Sequence, residues 1–140
     1  MTNTVTPETA RLLAAAGFPQ PAPAPGQWWG DGTKLVLVWR KWLKEYYTVT
    51  ELTYNQPLVR NQFSISDFVR LVFMPTVEDI LTQPIAEGYG VSRQYDTTES
   101  GLSWVCCPTE WDAPEMVSAY HETSAAEAAA LAWIELKQKK

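Results

Sequence analysis

The chain has 140 residues, of which 46% are hydrophobic and 19% charged, and its formal net charge is −5. This composition excludes wholesale disorder, and the length predicts one domain over 1–140 with a core of its own. With one histidine and two cysteines, a single chain cannot supply a two-histidine zinc site, a four-cysteine zinc site or the ligands of an iron–sulfur cluster.

A first helix is predicted at 7–16. Thr6 is suited to the N-cap and Pro7 to the first helical position, and Gly17 is placed to end the helix. Residues 19–26 then carry a proline at every second position, which favours an extended strap that tethers the helix to the rest of the domain.

Two adjacent tryptophans, Trp28 and Trp29, precede the turn signal Asp31-Gly32. In extended backbone their side chains point to opposite faces, so one can pack in the core while the other stays partly exposed. Core packing is favoured because an indole buries a large apolar area, and an exposed tryptophan beside a turn is a candidate recognition anchor.

The clearest strand is predicted at 33–42, with Leu35, Leu37 and Trp39 on one face and Val36, Val38 and Arg40 on the other. Because both faces are largely apolar, this strand is expected to be central, and its tryptophan is expected in the core. A second strand at 46–54 follows after a short link, which predicts an antiparallel hairpin.

The segment 40–44, RKWLK, interleaves charged and apolar side chains at the end of this hairpin. Such a patch would hold a single-stranded nucleic acid by stacking and by phosphate contact. The acidic surplus of the whole chain instead favours a solvated strand end and argues against a nucleic-acid partner.

The second half of the chain predicts further strands and two more helices. Thr76 is the expected N-cap of a short helix, and Ser124 with Glu127 forms a capping-box pattern before an alanine-rich helix that is expected to approach a sheet closely. In chain order, the predictions are an ambiguous stretch at 58–66, a strand at 68–74, a helix at 77–82, a hairpin of 89–95 and 102–107, a loop at 108–114 and a helix at 125–138.

Together these elements predict an α+β fold. A mostly antiparallel sheet of about four to six strands would carry the N-terminal and C-terminal helices packed on one face.

His121 is the only side chain whose unperturbed pKa lies near neutrality. Glu110 and Asp112 are weak candidates to orient it in acid–base catalysis. No nucleophile is placed beside it, so a surface or capping-region histidine is favoured. Trp111 joins Trp28, Trp29 and His121 as a candidate contact for a ligand or partner, and the sequence predicts neither a metal site nor a cofactor.

Charge is distributed unevenly along the chain, since 76–127 contains ten acids and a single base, Arg93. Solvation alone explains such an acidic region, and the sharper alternative is a docking face for a protein partner with basic character.

The segment MTNTVTPETA lacks the features of a targeting sequence, and no apolar run is long enough for a membrane helix. A cytoplasmic location is therefore expected, with Cys106 and Cys107 reduced. Neighbouring strand residues face opposite ways, so one thiol is expected to be buried and the other to face outward.

Three segments carry a resemblance to known sequences: LLAAAGFPQP with GQWW, FMPTVEDIL, and SAAEAAALAWIEL. They resemble a group of short proteins of phages and prophage-like regions in Bacteroidota genomes. The resemblance implies a small stand-alone protein from a mobile element, and it assigns no activity or functional residue.

The favoured functional prediction is a non-enzymatic interaction module that binds another protein or macromolecule through its acidic region or its tryptophans. One alternative is a binding protein for a nucleotide or sugar, with a pocket lined by Trp28, Trp29 and Trp111. A second alternative is an enzyme that uses His121 with nearby acids.

Overall fold

The structure is a computed structural model that describes residues 4–52, 59–96, 101–109 and 117–139. The chain divides into two compact units. Thr6–Met74 form the N-terminal unit, and Pro75–Lys140 together with Met1–Val5 form the C-terminal unit.

The N-terminal unit consists of one helix and a five-stranded antiparallel sheet. The strands lie in the order β4-β3-β2-β1-β5, so β2 is central, as its apolar faces predicted. The elements are α1 (Pro7–Ala15), β1 (Trp28–Gly30), β2 (Lys34–Trp42), β3 (Glu45–Leu52), β4 (Val59–Phe63), a 3-10 turn at Ile65–Phe68, and β5 (Val72–Met74).

One face of this sheet forms the core of the unit. Phe68, from the 3-10 turn, packs on this face with its ring edge-on to Trp29 and Tyr46. The buried residues that the strands contribute to this face are Trp29, Val36, Val38, Tyr46, Thr48, Thr50 and Phe73.

Helix α1 begins and ends where local sequence signals predicted. The Thr6 side chain accepts a hydrogen bond from the Thr9 N–H. At the other end Gly17 adopts φ +97°, and the Phe18 N–H donates to the Leu13 carbonyl at 2.9 Å. Phe18 is buried, so the cap is closed by an apolar contact as well as by hydrogen bonds.

The predicted strand at 68–74 is largely wrong, because only Val72–Met74 is extended. Residues Ile65–Phe68 form a 3-10 turn instead, and the Asp67 carboxylate accepts the Ser64 N–H at 2.7 Å. This local cap stabilises a helical turn at the point where side-chain composition favoured a strand.

The C-terminal unit holds a three-stranded antiparallel sheet and two helices. The elements are α2 (Val77–Leu81), a 3-10 turn at Pro84–Ala86, β6 (Tyr89–Asp96), β7 (Gly101–Pro108), β8 (Ala119–His121) and α3 (Ala125–Gln138). The hairpin of β6 and β7 and the helix α3 were predicted, whereas β8 was not, because three residues are too short to show an alternating pattern.

Helix α3 packs against all three strands of its unit. Its alanines make this close approach possible, since five of them are buried: Ala126, Ala128, Ala129, Ala130 and Ala132. Ser124 caps the helix by accepting the Glu127 N–H at 3.1 Å.

The α+β class and the mostly antiparallel sheet with terminal helices are therefore confirmed. The strands are distributed over two sheets, and α1 contacts β5 whereas α3 contacts β6, β7 and β8. Within the described ranges, no helix has the length and apolar character needed to cross a membrane.

Candidate binding surface

A β-bulge in β2 determines which side chains reach the outer face of the five-stranded sheet. Val38 pairs with Thr48, and Arg40 pairs with the next residue of β3, Tyr47. Trp39 is therefore the extra residue of the bulge and has no partner in β3. Strict alternation would place Arg40 beside the buried Val38. The bulge turns Arg40 to the face opposite the core and so spares the charge from burial.

The bulge brings aromatic rings and a guanidinium together at the end of the β2–β3 hairpin. The Trp39 and Tyr47 ring centroids are 5.9 Å apart. The Arg40 guanidinium carbon lies 5.5 Å from the Trp42 ring centroid and 5.8 Å from that of Tyr47. Trp39, Arg40, Trp42 and Tyr47 are called the hairpin surface below.

The hairpin surface is open to solvent despite its apolar content. Trp39 is 48% exposed and Trp42 is 56% exposed. Exposed tryptophans with an arginine between them are typical of binding hot spots, because large rings supply contact area at little cost in conformational entropy. The prediction that Trp39 belongs to the core is wrong.

The turn of this hairpin carries an uncommon backbone conformation. Leu43 has φ +56°, in the left-handed region where a side chain with a Cβ is disfavoured by roughly 1–2 kcal/mol. Its side chain is 81% exposed, so core packing does not offset that cost. The two-residue link keeps Trp42 and Glu45 paired across the turn, and thereby holds the hairpin surface in register.

The outer face continues onto the edge strand β4. Tyr47 pairs with Gln62, and Val49 pairs with Arg60, so both β4 side chains lie on the face that holds Arg40. Arg60 and Gln62 are exposed. The face therefore carries two guanidinium groups and an amide around the exposed rings.

The charges of the chain separate along the boundary between the two units. The N-terminal unit contains seven Lys and Arg residues against five acids, a net +2, whereas the C-terminal unit contains four against eleven, a net −7. Arg40, Lys41, Lys44 and Arg60 form no ion pair with any carboxylate among the described residues. Protein docking through the acidic region 76–127 stays a prediction.

Trp28 and Trp29 form strand β1 rather than a loop. Trp29 is buried against Phe68 and Phe73, and its Nε1 donates to the Gln27 side chain at 3.1 Å. Trp28 is half-buried on the opposite face, so the two indoles divide between the faces as extended backbone predicted. Their role as ligand contacts stays a prediction.

His121 is the last residue of β8 and lies just before α3. Its Nδ1 accepts the N–H groups of Thr123 at 3.2 Å and Ser124 at 3.0 Å. The ring thus satisfies backbone donors at the entrance to the helix, which agrees with the capping-region interpretation.

The remaining candidates, Glu110, Trp111 and Asp112, lie outside the described residues. Among the residues that are described, no cluster of His, Cys, Asp or Glu is arranged to hold a metal ion.

The two cysteines differ in burial, as predicted for neighbours in a strand. Cys106 is buried and Cys107 is half-buried, and both are free thiols. Burial, and to a smaller extent the neighbouring Cys107, raises the pKa of Cys106 to about 12. Cys106 therefore keeps its proton and is a poor nucleophile at neutral pH.

We expect the free energy of unfolding to fall as pH rises from about 9 to about 12, through the pKa values of the exposed and the buried Cys106 thiol. In this window the folded thiol holds a proton that the unfolded thiol has lost, so deprotonation favours unfolding. Urea titrations at several pH values, compared between the native protein and Cys106→Ala, measure this slope. The slope should be shallower in Cys106→Ala and close to the native slope in Cys107→Ala, since Cys107 makes the smaller contribution to the Cys106 pKa. Equal slopes in all three proteins would contradict the prediction.

The sequence shows the residues of segment 40–44 but not their arrangement. The bulge at Trp39 and the pairing of Arg60 with Val49 depend on contacts between strands, which no local pattern reports. The available signal was the interleaving of Arg40, Lys41 and Lys44 with Trp42.

No protein-family model, no curated protein and no solved structure matches the chain.

Proposed function

We propose that the protein is a non-enzymatic interaction module that binds another macromolecule through the hairpin surface. The observation that carries this proposal is the exposure of Trp39 and Trp42 beside Arg40, in the unit with net positive charge. Exposed aromatic rings next to an arginine provide both apolar area and a directional charge, the combination that dominates binding energy at interfaces.

A macromolecular partner fits this surface better than a small ligand does. Small-ligand sites are concave and bury most of the ligand among enclosing side chains. Here the rings lie at the end of a hairpin and are about half exposed, so they present area to a partner rather than enclose one. The origin in a mobile element belongs to the same proposal and rests on the sequence resemblance.

Site-specific photo-crosslinking in cell extract tests the proposal. A photo-reactive amino acid is introduced in place of Trp42 in one protein and in place of Val69 in a control, because both side chains are exposed in the same unit. Crosslinked adducts are expected from position 42 and not from position 69. The proposal fails if neither position gives an adduct, or if both give the same adducts.

A further inference from the structure

We infer that the partner of the hairpin surface is a single-stranded nucleic acid, with bases stacked on Trp39 and Trp42 and phosphates held by Arg40 and Arg60. This inference rests on the proposed function and names the chemical class of the partner.

The hairpin surface supplies exposed aromatic rings. Single-strand binders combine aromatic platforms, on which unpaired bases stack, with cations that follow the backbone. Trp39 and Trp42 are the exposed rings of the hairpin surface, and the half-buried Tyr47 contacts the Trp39 ring and the Arg40 guanidinium. Stacking requires the ring face to be accessible, which a core tryptophan such as Trp29 does not offer.

Polar side chains lie on the outer face around these rings. Arg40, Tyr47 and Gln62 form a row across β2, β3 and β4 that spans about 10 Å, given the usual spacing of neighbouring strands. Arg60 lies two residues from Gln62 along β4, on the same face. The guanidinium groups can donate to phosphate oxygens, and the Gln62 amide can both donate to and accept from a base edge.

Charge is divided unevenly between the two units of the chain. The net charge of −5 argues against a nucleic-acid partner for the chain as a whole, but the acidic excess belongs to the C-terminal unit. At physiological salt, exposed charges act over roughly 8 Å, so the groups on the outer face itself weigh most. Arg40 and Arg60 are the cations of this face, and Glu45 and Glu51 are its carboxylates. Arg40 and Arg60 form no ion pair with a carboxylate of the described residues, so neither has to break one to bind phosphate.

Fluorescence anisotropy with labelled oligonucleotides of about 20 nucleotides, one DNA and one RNA, tests the inference. Both single strands are expected to bind, and the corresponding duplex to bind at least about five-fold more weakly, since its bases are not free to stack. Trp42→Leu keeps an apolar side chain without the ring and should weaken single-strand binding at least about five-fold, whereas Trp42→Phe should retain most of it.

The salt dependence separates phosphate contacts from nonspecific attraction. Each phosphate contact contributes about 0.7 to the slope of log affinity against log salt for a single strand, so Arg40→Gln should lower the slope by about that amount. Arg70→Gln is the matched control, because Arg70 is an exposed arginine of the same unit that lies outside the outer-face residues. It should leave the slope unchanged.

Several results would overturn the inference. The first is the absence of an anisotropy change at about 100 μM protein in low salt, because the affinity would then be weaker than that of nonspecific binding. The second is an equal salt slope for the two arginine variants. The third is displacement of the labelled oligonucleotide by poly-glutamate as readily as by unlabelled single strand. A crosslink at position 42 that survives nuclease treatment of the extract, together with no oligonucleotide binding, would retain the proposed function and assign the surface to a protein partner.

Leu43→Asn adds a further discriminator between these partners. Asparagine tolerates the left-handed backbone at this position, so the hairpin should keep its fold. A single strand stacked on the rings does not need the leucine, and oligonucleotide affinity should stay within about two-fold, well below the loss of a stacked ring. A larger loss would show that Leu43 makes a main apolar contact and would contradict the stacking arrangement.

Discussion

Replacing Trp29 with alanine is expected to lower the free energy of unfolding by about 3–5 kcal/mol. Trp29 is 6% exposed, and its ring centroid lies 5.4 Å from Phe68 and 5.7 Å from Phe73. Removing it leaves a cavity among aromatic side chains that cannot all close in, and it removes the Nε1 hydrogen bond to Gln27. Urea unfolding followed by far-UV circular dichroism measures the change.

Trp42→Ala is the matched control for this prediction. It removes the same side chain from a position that is 56% exposed, and the expected change in the free energy of unfolding is below about 1 kcal/mol. If both variants lose similar stability, the contrast between a core tryptophan and a binding tryptophan is wrong. The pair also separates the two roles functionally, since Trp42→Ala should impair binding at the hairpin surface while the fold persists.

Leu13→Ala is expected to cost about 2–5 kcal/mol of the free energy of unfolding. Leu13 is fully buried in α1, and α1 contacts β5 of the same unit. Its carbonyl also accepts the Phe18 N–H at the end of the helix. The substitution leaves the backbone hydrogen bonds in place, and the loss therefore measures apolar burial in the core.

The neighbouring residue supplies a control within the same helix. Leu12 is 59% exposed, and Leu12→Ala should change stability by less than about 0.5 kcal/mol because alanine is the better helix former and little apolar area leaves the core. Chemical denaturation of both variants under identical conditions makes the comparison. Equal losses at the two positions would contradict the burial of Leu13 and the exposure of Leu12.

The sequence showed the residue types of part of the candidate surface but not how they are arranged in space. The segment 40–44 interleaves cations with Trp42 and a leucine, and this local pattern suggested stacking and phosphate contact. Arg60 is distant in sequence and carried no such signal. It joins the surface only because β4 pairs with β3, a contact between segments that a single sequence does not report.

The sequence by itself determined the features that depend on neighbouring residues. Thr6, Thr76 and Ser124 cap the helices that follow them, and Gly17 ends α1 with a positive φ, because the backbone groups at a helix end are satisfied by side chains a few residues away. The apolar side chains on both of its faces also identified β2 as a central strand.

The tertiary structure alone decided which faces are buried. The bulge between Val38 and Arg40 shifts the register of β2 against β3 and brings Arg40 to the outer face beside Tyr47. Trp39 is exposed although its strand is apolar, and the strands separate into two sheets. These outcomes follow from packing between segments far apart in the chain, because a shift of one residue in strand pairing exchanges the buried and exposed faces.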